Sequence, residues 1–378
     1  MSTQSQSGRR PYDPKTPGAR ALRDRIVHGA FVTEGTMIAF PTCFPAVTTP
    51  VPADESRITA LDVTPDGIVY AGTSGFAAHL LVGMFHGVTG MVFDMGLVEG
   101  ADRCVAMCCG KDVCAAAVNG PAGGRIVVRP LQPLPFDLIQ EWHIARTPYE
   151  YLDPVVADEP IVHAVTDSTR ELVVGVTEGH LFTVDLTSRC VETIAELPGK
   201  ACLVCGPSGA VYGLDDNAAL WRFDMANRKV ERAAVALPDG VWESVRVVWA
   251  RDPHTGVLYT ADAQGRLFRF DEDESFAGPL ATVPHTPVHC MAATNDGRLF
   301  GFAGEGMARL FCYNPGMESM ADCGVAVSVF ERRRYGYSFA DAVRGRDGEL
   351  IFGENDDLGH LWLYFPRIEP ADSHGHHR

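Results

Sequence analysis

Gly297-Arg298-Leu299-Phe300-Gly301 is followed about ten residues later by Ala308-Arg309-Leu310-Phe311. Each piece is a short apolar run opened by a turn residue, and a small polar loop separates them, as in a pair of brief strands. The first strand of this unit returns as Asp66-Gly67-Ile68-Val69-Tyr70, Lys111-Asp112-Val113-Cys114 and Arg170-Glu171-Leu172-Val173-Val174. It returns again as Gly209-Ala210-Val211-Tyr212-Gly213, Gly256-Val257-Leu258-Tyr259 and Gly348-Glu349-Leu350-Ile351-Phe352-Gly353. The second strand recurs as Gly179-His180-Leu181-Phe182, Gly265-Arg266-Leu267-Phe268 and Gly359-His360-Leu361-Trp362.

With Val69, Val113, Leu172, Val211, Val257, Leu299 and Leu350 taken as equivalent, the spacings are 44, 59, 39, 46, 42 and 51. A period in the forties with several strands per unit is the pattern of propeller blades. One unit buries too little by itself, and a closed ring supplies both a core and protected edges. An inner strand before the repeated pair (58–64, 288–293) and an outer one after it (91–96) give four strands per blade. The expectation is an all-β, seven-bladed β-propeller with four-stranded antiparallel blades. The last copy ends at Pro366 with three strands, so the N-terminal stretch 36–44 is expected to close the ring. A single domain over 21–368 results, with disordered tails at 1–20 and, His-rich, at 369–378.

Composition narrows the partners. The 378 residues are 46% hydrophobic and 21% charged, and no run approaches the ~18 apolar residues of a membrane span. Arg9 and Arg10 are followed by no apolar segment of the export type, so the expected address is cytoplasmic. The charge balance, 32 minus 48 or −16, suits no nucleic-acid surface, and neither nucleic acid nor a membrane is an expected partner. Eleven Cys read as small buried hydrophobes in a reducing compartment. Cys202-Leu203-Val204-Cys205 is C-x-x-C on a strand, where residues three apart face opposite sides, unlike the turn of a zinc knuckle. No metal-ligand set is assigned.

The Gly-x-Leu-Tyr and Gly-His-Leu-Phe type strands resemble the broad group of seven-bladed propellers with quinoprotein-like, lactonase-like and polysaccharide-lyase-like members. The Trp-Asp endings of WD40 arrays and the paired glycines of kelch repeats are missing. The resemblance covers 21–368 and implies architecture; it transfers no catalytic residue.

Ligand sites on propellers sit in the loops around the channel mouth, where a rigid scaffold presents them. The expected entrances to the inner strands carry Arg57, Arg103, His163, Lys200, Arg246, His289 and Tyr337. Such a collar on an acidic protein would focus anions into the channel. The third strands open on His79, Arg125, His180, Arg266, Arg309 and His360, with Glu178, Asp262, Glu305, Asp356 and Asp357 shortly before them. A pair repeated within each unit reads as a clamp on its own turn. The acidic loops Asp215-Asp216-Asn217 and Glu354-Asn355-Asp356-Asp357 leave a divalent cation as the candidate cofactor. Extra chain at 134–160 and 330–338 brings His143, Arg146, Tyr149, Glu150 and Tyr151, and Arg332, Arg333, Arg334, Tyr335 and Tyr337.

These residues suit a lyase-like, carbohydrate-active propeller acting on an anionic, uronate-type oligosaccharide. His163 or His289 would be the base and Tyr149 or Tyr337 the acid. Arg146, Arg246 or Arg334 would neutralise the carboxylate, with Arg103, Lys200 and Tyr335 completing the binding set. The rival reading is a non-catalytic platform for a protein partner, and a weaker one is a metal-dependent, lactonase-like hydrolase.

Overall fold

The computed structural model describes residues 35–41, 51–131, 148–167, 169–197, 203–215, 219–242, 246–329, 335–357 and 359–367. The expected tails, part of each insertion, and the candidates Arg146, Lys200 and Arg334 lie outside the described residues. Regular structure within them is β-strand, apart from one short 3-10 turn at Ala53–Glu55. The strands that follow the inner ones begin at Val69, Val113, Leu172, Val211, Leu258, Leu299 and Leu350, one residue from expectation at a single place.

The chain is an all-β propeller of four-stranded antiparallel blades. Five sheets of four strands stand separately; one runs Val288–Ala293, Leu299–Ala303, Arg309–Asn314 and Ser319–Val325, in sequence order from the inner edge outward. The remaining strands form one eight-stranded sheet. In it the set Arg57–Val63 to Thr89–Leu97 meets the set Arg103–Cys109 to Glu150–Tyr151 where Ser74 stands opposite Arg103. Counted as separate sheets, the four-stranded blades number five where the sequence predicts seven. The physical reason is that junction, where Ser74 Oγ also accepts the Cys104 N–H at 3.1 Å.

Gly35–Pro41 pairs antiparallel with His360–Pro366, so the first described strand completes the sheet of the last three. Positions 42–44 of the expected closing stretch lie outside the described residues. Met37, Ile38 and Ala39 are buried in this strand. Facing sheets pack side chain to side chain. Phe302 stacks on Phe339 with centroids 3.7 Å apart, and Phe352 and Trp362 complete that layer. Each sheet is thus one half of two cores, which is why no unit folds alone.

Glycine recurs in the middle of the second strand for a packing reason. A Cβ at Gly213 would lie 2.3 Å from the Trp221 ring, and one at Gly175 would lie 2.3 Å from the Phe182 ring. The aromatic of the third strand folds back over the glycine and fills the place of its missing side chain.

Inner strands carry a further irregularity. Register shifts fall between Ile58 and Ala60, Cys104 and Ala106, Ile161 and His163, Val288 and Cys290, and Phe339 and Asp341. A bulge leaves one residue unpaired and re-aims its neighbours. Here the bulges sit near the start of five inner strands, and one of the residues they leave unpaired is His289.

Candidate functional site: the central channel

The inner strands enclose a cavity of about 510 Å³, lined among others by Asp62, His163, Arg170, Arg246, Arg251, His289 and Asp341. Two carboxylates tie its wall together. Asp341 Oδ1 accepts the Ala342 N–H at 2.9 Å, and its Oδ2 reaches the next inner strand to accept the Leu61 N–H at 2.8 Å. Asp62 repeats the device one strand on, accepting Val63 N–H at 2.8 Å and Cys109 N–H at 2.6 Å. Burial pushes both carboxyls above the ordinary value; Arg246 opposes this at Asp341 and Arg170 at Asp62. Arg170 also donates to the carbonyls of Cys109 (2.6 Å) and Val63 (3.0 Å), so it is committed to the wall.

Arg246 stands at the rim, donating to the Ala340 carbonyl at 3.3 Å with Asp341 close enough to feel its charge. The two histidines are set apart by their partners. The Leu203 N–H donates to His163 Nδ1 at 3.1 Å, so the neutral ring carries its proton on Nε2. His289 is the extra residue of its bulge, and its Nε2 lies 2.8 Å from the Gly304 carbonyl. Only a donor fits opposite a carbonyl oxygen, so neutral His289 keeps its lone pair on Nδ1. His163 therefore offers an N–H and His289 offers a base. The sequence treats them as interchangeable bases; in the structure the basic nitrogen of His163 is occupied.

The other candidates stand elsewhere. Tyr149 packs against the core of the eight-stranded sheet, its hydroxyl donating to the Gly96 carbonyl at 2.8 Å and its ring 5.5 Å from the Arg129 guanidinium. Burial drives its phenol above the usual range, and Tyr149 does not line the cavity. Tyr337 is exposed, and its backbone carbonyl accepts the Ala308 N–H; Tyr335 is held by a bridge to Val327. Neither lines the cavity. Arg103 is an exposed strand residue, and Arg57 is tied to Asp357 at 2.9 Å. The structure thus gathers His163, Arg246 and His289 from the collar, and adds Asp62, Arg170, Arg251 and Asp341. For Asp62 and Asp341 the sequence signal is a charge interrupting an apolar inner strand, as in Phe339-Ala340-Asp341-Ala342-Val343; Arg170 lies in the turn after its inner strand and Arg251 at the end of its own.

The third-strand cations are clamps, with partners mostly other than those expected. Arg266 does pair with Asp262 at 2.7 Å. His180 takes Glu159 at 3.0 Å rather than Glu178, and Arg309 takes Asp322 at 2.9 Å rather than Glu305. His360 takes Glu354 at 3.2 Å. His79 sits between Glu55 and Asp94; burial works against its charge, but the two carboxylates raise it above the ordinary histidine value. Glu55 and Glu159 stand just before inner strands and Asp94 and Asp322 lie on outer strands, whereas Glu354 ends the second strand, six residues before His360. Among the described residues, no group of three or more His, Cys, Asp or Glu is arranged to hold a metal ion. No described helix is long and apolar enough to cross a membrane.

No protein-family model matches the chain, and no curated protein matches its sequence. Among solved structures it is similar to virginiamycin B lyase from Staphylococcus aureus, with TM-score 0.62 and 9% identity over 88% of this chain and 99% of that one. It is also similar to the extracellular domain of a hybrid two-component system from B. thetaiotaomicron, with TM-score 0.55 and 11% identity. That match covers 86% of this chain and 39% of the other. Likeness at such identities establishes the propeller, and the chemistry has to be argued from the channel.

Proposed function

We propose that the protein is a cytoplasmic lyase-like propeller that eliminates across a glycosidic bond of an anionic, uronate-type oligosaccharide bound in its channel. The ring is read as seven-bladed, taking the eight-stranded sheet as two blades bridged at Ser74 and Arg103. The observation that carries the chemistry is the meeting of Arg246, His163 and His289 in one cavity, with the histidines in complementary tautomers.

In this reading Arg246 neutralises the substrate carboxylate, which acidifies the adjacent C–H. His289 Nδ1 takes that proton, the C–H electron pair becomes the new C=C bond, and the bond to the departing oxygen breaks. His163 Nε2–H hydrogen-bonds the departing oxygen, which takes its proton from the His289 imidazolium and leaves both rings neutral again. The test is ultraviolet absorbance of the unsaturated uronate product. His289→Ala should lower the rate by about 10²–10⁴-fold with the melting temperature unchanged. An unaltered rate in that variant, or no product from any uronide, would count against the reading. Exposure of Phe76, Val329 and Tyr337 favours the second reading, a protein-docking platform. There, uronides would neither react nor shift the melting temperature.

A further inference from the structure

Asp341 and Arg246 line the same cavity. Arg246 reaches across to donate from Nη1, at 3.3 Å, to the Ala340 carbonyl, which belongs to the peptide bond joining Ala340 to Asp341. That contact fixes a guanidinium beside the residue that carries the carboxylate. Asp341 is fixed as well. One of its oxygens accepts the Ala342 N–H of its own strand, and the other accepts the Leu61 N–H of the next inner strand. It cannot swing aside for a ligand without leaving a backbone donor unpaired.

An anion drawn to Arg246 therefore meets Asp341 as a like charge. A like charge within about 4–6 Å disfavours the ionised form of a carboxyl, and burial acts in the same direction. We infer that Asp341 competes with the ligand anion for Arg246, so that an anion enters the channel together with one solvent proton, which settles on Asp341. Asp341 is thus a specificity-determining residue: it sets the pH at which anions are admitted. The competition rests on the function proposed above only in placing the ligand anion at Arg246.

The sign follows from the linkage of proton to ligand. Anion affinity is full below the pKa of Asp341 in the empty channel and falls as pH rises through it. Burial has already raised that pKa above the ordinary value, against the pull of Arg246, the Leu61 N–H and His163. Other titratable groups face the same space. Asp62 comes from the inner strand on one side of Asp341, and His289 and Cys290 come from the inner strand on the other. His163 and Cys205 stand further round the cavity, where Arg170 and Arg251 keep their charge throughout. Protonated histidines also attract anions, so their share of the pH dependence has the same sign as that of Asp341.

Calorimetric titration with inorganic sulfate and with glucuronate, both charged from about pH 4.5 to 8, separates these shares. Run in two buffers of different ionisation heat, it reads the proton directly. The parent should take up a fraction of a proton on binding, and its affinity should fall about tenfold across that range, equivalent to one pKa unit of coupling. Asp341→Asn, checked for an unchanged circular-dichroism spectrum, should bind both anions about tenfold more tightly than the parent at the upper end. Parent-like affinity in a folded Asp341→Asn overturns the inference. With His163→Gln and His289→Gln combined and Asp341 intact, proton uptake should persist. Its loss assigns the proton to the histidines and overturns the inference even if Asp341→Asn does not fold. Weaker binding by Arg246→Gln beside a parent-like Asp341→Asn keeps the anion site and removes the competition. Tighter binding by Asp341→Asn with no unsaturated product from any uronide keeps the competition and removes the lyase reading. Binding of neither anion, by the parent or by Asp341→Asn, overturns both.

Discussion

Asp341 holds two backbone N–H groups from two inner strands while facing Arg246 across the channel rim. Its carboxyl is raised by burial, so the folded chain keeps a proton there at pH values where the unfolded chain has released it. The sign follows from linkage: this term supports the fold below the ordinary value of 3.8 and is lost as pH rises through the higher folded value. Asn at this position cannot titrate. Melting temperature plotted against pH should therefore fall less steeply above 3.8 for Asp341→Asn than for the parent. Parallel curves would show that Asp341 is not the group responsible. Sequence reading chose His163, Arg246 and His289 because basic residues stand out at strand entrances. It passed over Asp341 because an acid within an apolar run looks like an ordinary surface position until the ring closes around it. The tautomers of the histidines were equally out of reach, since Leu203 and Gly304 become their partners only through pairing and bulging.

At the scale of the strand, the repeated glycine and the inner bulge shape the blade. The third-strand aromatic occupies the space a Cβ would need, so Gly213→Ala should destabilise the protein by about 1–3 kcal/mol through overpacking against the buried Trp221. A urea midpoint equal to the parent's would show that the ring can step aside. The strands themselves were legible because their alternation and turn residues are local. The clamps were legible only in kind. Arg266 found the carboxylate four residues before it, whereas Arg309 turned to Asp322 on the adjoining outer strand. Which acid reaches a cation depends on register across the sheet, and a one-residue bulge is enough to change it.

For the whole molecule, the decisive contact joins the two ends of the described chain. Met37 lies in the core shared by Phe302, Phe339 and Trp362 and is about 1% exposed. Met37→Ala should cost about 2–5 kcal/mol, as much as a core position in the middle of the chain, with unfolding still a single transition. A cost near zero would mean that ring closure by Gly35–Pro41 contributes little to the fold. Closure also creates the channel, because no inner strand encloses anything until its neighbours on both sides are present.

By itself the sequence determined the repeat, the all-β class, the four-stranded unit and the need for an N-terminal strand, since each follows from local periodicity and from an edge left unpaired at Pro366. Of the seven collar positions it proposed, His163, Arg246 and His289 line the cavity. Only the tertiary structure decided which of them converge, that Tyr149 packs away from the cavity, and that Asp62, Asp341 and Arg251 line the channel. It also showed two four-stranded sets merging at Ser74 and Arg103. The physical reason is one of range: strand formation is set by neighbours along the chain, whereas burial, proton placement and charge pairing are set by residues that meet only when the ring closes.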